Sequence, residues 1–274
     1  MGILEYQFFQ NALCGSLLAC IACGIIGTYI VTRRLVFISG GITHAGFGGI
    51  GLGMYMGVAP TATAFLFAAA SALGVQWLGN TKNIREDSAI AVFWILGMSL
   101  GIIFCFMSPG YNTELSTYLF GNILTITGGD IALLAVISCV LLLFGLVFHK
   151  AITMIAFDRE FAASRGIPVW LFESIMMLFV AVTIVGTLLL IGVVLVMSML
   201  TIPQMTSLLF THNYNRIILF SVLVGYVATL LGLYISYHAN IPSGATITLC
   251  SIIIYIMCRA CCAIFRKGNK KHFL

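Results

Sequence analysis

Long apolar runs constrain this chain more than any other feature of its sequence. Residues 131–148 contain no charged side chain, and a largely apolar pattern extends over about 40 residues at 171–210. A helix needs about 20 apolar residues to cross the hydrocarbon core of a bilayer, which is about 30 Å thick. These runs are continuous, whereas membrane β-strands alternate apolar and polar residues over about ten positions. The pattern therefore predicts an all-α, polytopic membrane protein.

The composition excludes several classes of function. Of the 274 residues, 61% are hydrophobic and 8% are charged, against about 25% charged residues in a soluble globular domain, so a water-soluble enzyme is excluded. The sequence has no G-x-x-x-x-G-K-[ST] motif for nucleotide phosphates and no nucleophile–base set, so we expect no enzyme activity. The basic residues lie singly or in pairs at the ends of apolar runs, which is typical of membrane orientation rather than nucleic-acid binding.

The apolar runs predict eight or nine transmembrane helices in one transmembrane domain, residues 1–274. The predicted spans are residues 8–31, 42–60, 61–78, 89–107, 131–148, 217–237 and 246–265, together with the stretch 171–210. That stretch has two interpretations. It forms two spans joined by a tight turn near residues 186–192, or one span followed by a broken helix.

Basic residues assign the two sides of the membrane. Cytoplasmic loops carry an excess of Lys and Arg, so we expect Arg33, Arg34, residues 150–165 and the tail 266–274 to lie in the cytoplasm. The predicted outer loops contain neither Lys nor Arg. This assignment is self-consistent with nine spans, an outer N-terminus and a cytoplasmic C-terminus. With eight spans the charge rule fails at one end of the chain.

A glycine-rich stretch at residues 39–53 is expected to pack closely against other helices. Small residues recur at every fourth position: Gly41, Ala45, Gly49, Gly53 and Gly57. On a helix these residues share one face, and small side chains let membrane helices approach closely.

His44 lies in the same stretch, near the expected cytoplasmic start of its span. Intramembrane ionisable residues are rare and usually face a cavity or a pathway, and imidazole ligates zinc, iron and copper. Gly40 and Gly48, one turn to either side, are expected to leave room beside the ring. The alternative is a structural His bonded to a neighbouring carbonyl, and the sequence leaves both interpretations open.

Two polar segments have both a functional and a plainer interpretation. Residues 158–166 mix acidic, basic and small side chains, so they form either a short helix that docks on a cytoplasmic partner or a solvated loop. His238 lies in a predicted outer turn, where it either meets an incoming ligand or has no special role. Glu114 and Asp130 share that outer side, and Asp130 is expected to cap a helix.

The nine cysteines are expected to be structural. Cys20 and Cys23 form a C-x-x-C pair, and Cys258, Cys261 and Cys262 form a second cluster. Both clusters lie inside apolar runs, where cysteine behaves as a small hydrophobe. The odd count also argues against a disulfide framework.

Five segments, in the same order along the chain, resemble the motifs of a known family. They are Arg33-Arg34 with residues 39–53 (R-R…G-D-x-x-S-H-A-x-x-x-G), residues 116–124 (S-Y-L-F-G-[DN]-I-L), residues 158–166 (D-x-E-x-A-x-x-x-G), residues 192–203 (G-x-L-L-V-x-A-L-L-x-x-P) and the turn around Pro242 (S-Y-x-x-[DN]-x-P-S-G-x-x-I). The chain resembles the ABC-3 family, the permease subunits of bacterial ABC importers that take up zinc, manganese or iron.

The resemblance implies a homodimeric pathway in the bacterial cell membrane, with two cytoplasmic ATPase subunits and a metal-binding protein that docks outside. ATP would bind to the partner subunit, this chain would hold no cofactor, and the divalent metal ion would be the cargo. His44, and secondarily His238, would line the metal path. The coupling segment, residues 157–168, would contact the ATPase through four residues: Asp158, Glu160, Ala162 and Gly166.

One departure from the family concerns the metal. Much of the family has an Asp four residues before the His, where this chain has Gly40, and Asn240 stands where an Asp is common in the outer turn. Fewer carboxylates weaken the attraction for a hard cation such as Mn²⁺ and favour imidazole ligation of Zn²⁺ or Fe²⁺. The sequence leaves the identity of the metal open.

Two other functions compete with the metal-ion permease. A permease for a metal chelate, such as a siderophore or haem, is usually longer by one span. A self-standing secondary transporter is expected to contain inverted repeats, and the sequence shows no convincing internal repeat.

Overall fold

A computed structural model describes residues 7–80, 84–108, 121, 123 and 126–270, and these residues are helical with no β-strand among them. The helices are α1 Gln7–Thr32, α2 Val36–Met56, α3 Pro60–Gly79, α4 Glu86–Met107, α5 Gly128–Val147, α6 His149–Phe157, α7 Arg159–Ser164, α8 Val169–Ile191, α9 Val193–Met199, α10 Ile202–Leu208, α11 Tyr214–Ala239 and α12 Ser243–Lys270. Lys82, Glu114 and most of the motif at 116–124 lie outside the described residues. Helix α12 extends into the predicted tail 266–274, whose last four residues are also outside them.

The helices confirm the prediction of an all-α membrane protein. Seven of the described helices are long and apolar enough to cross a membrane, namely α1, α3, α4, α5, α8, α11 and α12. Helix α2 has 21 residues and is therefore about 31 Å long, although its glycines and His44 make it less apolar. Helices α9 and α10 form a shorter apolar pair over Val193–Leu208.

The stretch 171–210 is one span followed by a broken helix, and both parts connect the same two ends of the bundle. Helix α8 begins where Glu173 pairs with Arg33. It ends before Gly192, whose φ of +78° is a left-handed conformation that favours glycine. Helix α10 ends at Leu208, which lines the same cavity as Arg33. Because the chain returns to the end that it left, the broken helix does not violate the charge rule.

One end of the bundle, called the basic end, collects charged and polar groups from both halves of the chain. Arg33 and Arg159 contact the same carboxylate, Glu173. His149, at the start of α6, contacts the side chain of Asn215 at 2.6 Å, which brings the loop before α11 to this end. By the positive-inside rule we expect the basic end to face the cytoplasm.

Helix α2 packs between α3 and α4 with its backbone close to both. A Cβ atom added to Gly48 would lie 2.7 Å from the carbonyl oxygen of Gly97 in α4, and one added to Gly49 would lie 2.5 Å from the carbonyl oxygen of Thr63 in α3. Only glycine fits at such positions, since real side chains almost never approach backbone so closely. Small residues at helix contacts are what membrane helices use to approach one another.

The predicted stripe of small residues divides between these two neighbours. Gly41 and Ala45 contact α4, whereas Gly49 and Gly53 contact α3. Gly57 does not take part, so its assignment to helix packing is wrong. Helix α2 ends one residue earlier, Gly57 has a φ of +66°, and nothing lies within 4 Å of the position of its absent Cβ. Its left-handed conformation ends the helix, which is the usual role of glycine at this position.

The substitution Gly97→Ala tests the close approach of α2 and α4. The added methyl group would meet the backbone of Ala45 and would lie 2.9 Å from the carbonyl oxygen of His44. We expect overpacking to cost about 1–3 kcal/mol of stability, measured as a lower unfolding temperature in detergent. Gly145→Ala is the matched control, since nothing lies within 4 Å of that Cβ position. Equal unfolding temperatures for the two variants would contradict this account of the packing.

Candidate functional site

His44 lies deeper inside its helix than the sequence indicates. Helix α2 begins at Val36 rather than near residue 42, so His44 is about 12 Å along the axis from the first residue of the helix. The ring is half-buried, and its Nδ1 atom lies 2.8 Å from the carbonyl oxygen of Gly40. Because a carbonyl oxygen only accepts hydrogen bonds, Nδ1 carries the proton and donates it, which leaves the lone pair on Nε2.

Aromatic and thioether side chains fill the space beside the His44 ring. The indole of Trp94 stacks on the imidazole, with ring centroids 4.5 Å apart and an angle of 22° between the planes. A Cβ atom added to Gly40 would lie 2.9 Å from Cζ3 of Trp94 and 3.0 Å from Cε of Met197. The expectation that Gly40 leaves open room is therefore wrong. The missing side chain instead admits Trp94 and Met197.

This arrangement presents one nitrogen ligand in a fixed orientation. A hydrogen bond from Nδ1 to a backbone carbonyl is a common way to fix the tautomer of a metal-binding His. The face of the indole stabilises positive charge beside it. The same hydrogen bond is also what the structural interpretation of His44 predicts, so the two roles differ only in the use of Nε2. Within the described part of the chain, no group of three or more His, Cys, Asp or Glu side chains could hold a metal ion.

His238 has the same bonding pattern as His44 in a different setting. Its Nδ1 atom lies 2.9 Å from the carbonyl oxygen of Tyr234, four residues earlier, and the two rings are 4.4 Å apart at their centroids. The residue is exposed. It belongs to the last turn of α11 rather than to the predicted turn. On the same side, Asp130 is not the cap itself. Thr127 is the N-cap of α5, and Asp130 completes a capping box by accepting from its backbone N–H at 2.9 Å.

The coupling segment, residues 157–168, contains the short helix that one interpretation predicts. Asp158 is the N-cap of α7, and its Oδ1 atom accepts from the backbone N–H of Phe161 at 2.9 Å. Gly166 follows the helix with a φ of +78°, a conformation that favours glycine. Asp158 and Gly166 therefore start and end the helical turn. Asp158, Glu160 and Gly166 are exposed and stay predicted contacts for a partner.

Ala162 faces the chain itself, so its assignment as an ATPase contact is wrong. The residue is 0% exposed and packs in a small apolar cluster with Ile155 and Val169. Its small size follows from this internal packing. In a six-residue helix the sequence does not indicate which side lies against the rest of the protein.

The outward side of the coupling segment carries aromatic side chains that sequence reasoning missed. Phe157, Phe161 and Trp170 are exposed, and the guanidinium carbon of Arg165 lies 5.3 Å from the centroid of the Phe161 ring. Exposed apolar patches with a polar rim mark sites of interaction with proteins or membranes. The signal was present in the sequence, because bulky aromatic residues stand out in the most polar stretch of the chain.

Glu173 is a second residue that sequence reasoning missed. It is the only acidic residue of the stretch 171–210, and an average over an apolar window conceals it. The residue is 3% exposed, and its two carboxylate oxygens contact Arg33 at 2.9 Å and Arg159 at 3.1 Å. The end of α1 and the first residue of α7 therefore share one buried carboxylate.

The substitution Ala162→Trp is expected to destabilise the coupling segment. An indole does not fit against Ile155 and Val169, and overpacking costs about 1–3 kcal/mol. We expect less monodisperse protein on size-exclusion chromatography and a lower unfolding temperature. Ala163→Trp is the matched control, because Ala163 is exposed and should tolerate the same change. Identical behaviour of the two variants would show that burial does not constrain Ala162.

Comparisons with known proteins confirm the family resemblance of the sequence. The family model of the ABC 3 transport family matches residues 5–262. An uncharacterised membrane protein of Synechocystis, slr2045, is 36% identical over 93% of this chain and 90% of its own length. The manganese transport system membrane protein MntC of Listeria monocytogenes is 30% identical over 93% of this chain and 91% of its own length. The solved structure of PsaBC from Streptococcus pneumoniae in complex with Fab has a TM-score of 0.83 and 27% identity, covering 94% of this chain and 92% of that chain. This multi-pass membrane protein therefore belongs to the ABC 3 transport family.

Proposed function

We propose that this chain is the membrane-spanning permease subunit of an ATP-driven importer for a divalent transition-metal ion, namely zinc, manganese or iron. Two copies form the pathway, each bound to a cytoplasmic ATPase, and an extracytoplasmic protein delivers the ion. The observation that carries the proposal is the bonding of His44, whose Nδ1–H donates to Gly40 inside a spanning helix and whose Nε2 keeps its lone pair. Membership of the family and a relative named for manganese transport support it.

The surroundings of His44 favour a transition metal over the abundant hard cations. Imidazole suits zinc, iron, nickel and copper, whereas Mg²⁺ and Ca²⁺ prefer carboxylate, carbonyl and water oxygens. Gly40 supplies no carboxylate, and Trp94 covers one face of the ring. A single neutral ligand binds a cation weakly. Weak binding suits a pathway, because an ion must leave such a site as readily as it enters.

The energy for transport comes from a partner in this proposal. The sequence has no phosphate-binding loop, so ATP hydrolysis belongs to a separate subunit. The exposed side of the coupling segment, with Phe157, Phe161 and Arg165, is the surface proposed to dock on that subunit. It lies at the basic end, which is the end expected in the cytoplasm.

The substitution His44→Asn separates the pathway role from the structural role. The Asn amide N–H takes the place of Nδ1–H and donates to the Gly40 carbonyl, but no ligand replaces Nε2. We expect the initial rate of zinc or manganese uptake to fall by about tenfold or more, the loss typical of a damaged metal site. The measurement is uptake of the radiolabelled ions, at matched amounts of the chain in the membrane.

His238→Asn is the matched control for this experiment. His238 makes the same bond to the carbonyl oxygen four residues earlier, at 2.9 Å, but it is exposed at the end of α11. Water and other groups can replace its imidazole there, so we expect a smaller loss of uptake. A wild-type rate for His44→Asn would contradict the assignment of His44 to the metal path.

A further inference from the structure

The ion-pair network around Glu173, called the Glu173 hub, joins the coupling segment to the membrane helices. One carboxylate oxygen lies 2.9 Å from Nη2 of Arg33, and the other lies 3.1 Å from Nη2 of Arg159. The same Nη2 atom of Arg159 donates to the side-chain oxygen of Asn80 at 2.7 Å. Glu173 itself is only 3% exposed.

The members of the hub come from four separate parts of the fold. Arg33 follows α1, Asn80 follows α3, Arg159 is the first residue of α7, and Glu173 lies in the second turn of α8. Glu86, at the start of α4, lines the same small cavity as Arg33, Asn80 and Glu173. The hub is therefore the place where the coupling segment meets the ends of several spanning helices.

The hub is better suited to transmit a movement than the apolar contact beside it. The other attachment of α7 is the cluster of Ala162 with Ile155 and Val169, and apolar surfaces slide past one another because the hydrophobic effect has no direction. Hydrogen bonds between ionised groups are short and directional. Separation of two charges in a poorly hydrated site is also costly. A displacement of Arg159 therefore tends to take Glu173, and with it α8, in the same direction.

We propose that Glu173 is a positioning residue through which movement of the coupling helix α7 reaches α1, α3 and α8. The inference rests on the proposed function, in which the coupling segment docks on an ATPase. It adds the route by which a change at that docking surface reaches the membrane domain. Arg159 is the member of the hub that moves with α7, and Glu173 is the member that α8 must follow.

The two ion pairs differ in exposure, which allows the transmission role to be separated from a structural role. The side chain of Arg159 is 41% exposed, whereas that of Arg33 is 14% exposed and that of Glu173 is 4% exposed. Exposed pairs contribute little to stability, so the structural part of the hub is the Arg33–Glu173 pair. Removal of the Arg159 charge leaves Glu173 paired with Arg33, and the variant is expected to fold.

The experiment compares Arg159→Gln with the wild type in proteoliposomes that contain this chain, its ATPase and the metal-binding protein. The quantity measured is radiolabelled zinc or manganese taken up per ATP hydrolysed. We expect this ratio to fall about fivefold or more, the lower range of measured coupling between sites, while the ATPase still copurifies with the chain. Arg159→Lys keeps the charge but not the fork of donors that serves both Glu173 and Asn80, so it should restore the ratio in part.

Arg216→Gln is the matched control, because it removes one exposed positive charge at the same end without touching the hub. We expect it to keep the wild-type ratio. An unchanged ratio for Arg159→Gln would overturn the inference. So would equal losses of uptake and ATP hydrolysis together with a lower yield of folded protein, since the hub would then be a structural staple. A wild-type complex that hydrolyses ATP without moving metal would overturn the proposed function itself, and the inference with it.

Discussion

Helices inside a bilayer cannot associate through the hydrophobic effect, because lipid tails are as apolar as leucine side chains. The fold therefore depends on how closely α2 approaches its neighbours. Glycines remove the side chains that would separate α2 from α3 and α4, so that Gly48 lies against the backbone at Gly97 and Gly49 lies against that at Thr63. These contacts fix the rotation of α2 about its axis, and with it the direction in which His44 points.

The same absence of side chains shapes the surroundings of His44. Gly40 has no side chain, so Trp94 and Met197 occupy the space beside it, and the indole stacks on the imidazole. The Gly40 carbonyl takes the proton of Nδ1, which leaves Nε2 as the ligating atom. Packing and metal chemistry thus use one helix. A substitution on the α4-facing side of α2 is expected to alter both, since a shift of α4 also shifts Trp94.

Hydropathy predicted the spanning helices because the cost of placing polar groups in lipid acts on every residue of a span. It could not predict single residues whose environment depends on tertiary contacts. Glu173 disappears in the average of a long apolar stretch, yet two arginines from distant segments make its burial possible. Ala162 belongs to a helix too short to show a periodic apolar face. The start of α2 was placed too late because its first turns contain Ser39, Gly40 and Gly41, which lower the hydropathy without ending the helix.

The central claim is that this chain forms the path by which ATP hydrolysis on a partner drives a transition-metal ion across the membrane. The most direct test is the accumulation of radiolabelled zinc and manganese in proteoliposomes that contain the chain, its ATPase and the metal-binding protein, with and without ATP on the ATPase side. The account predicts accumulation of at least one of the two ions against its gradient, only with ATP, and undiminished by excess Mg²⁺ or Ca²⁺. Accumulation that continues without ATP, or ATP hydrolysis without accumulation of either ion, would contradict it.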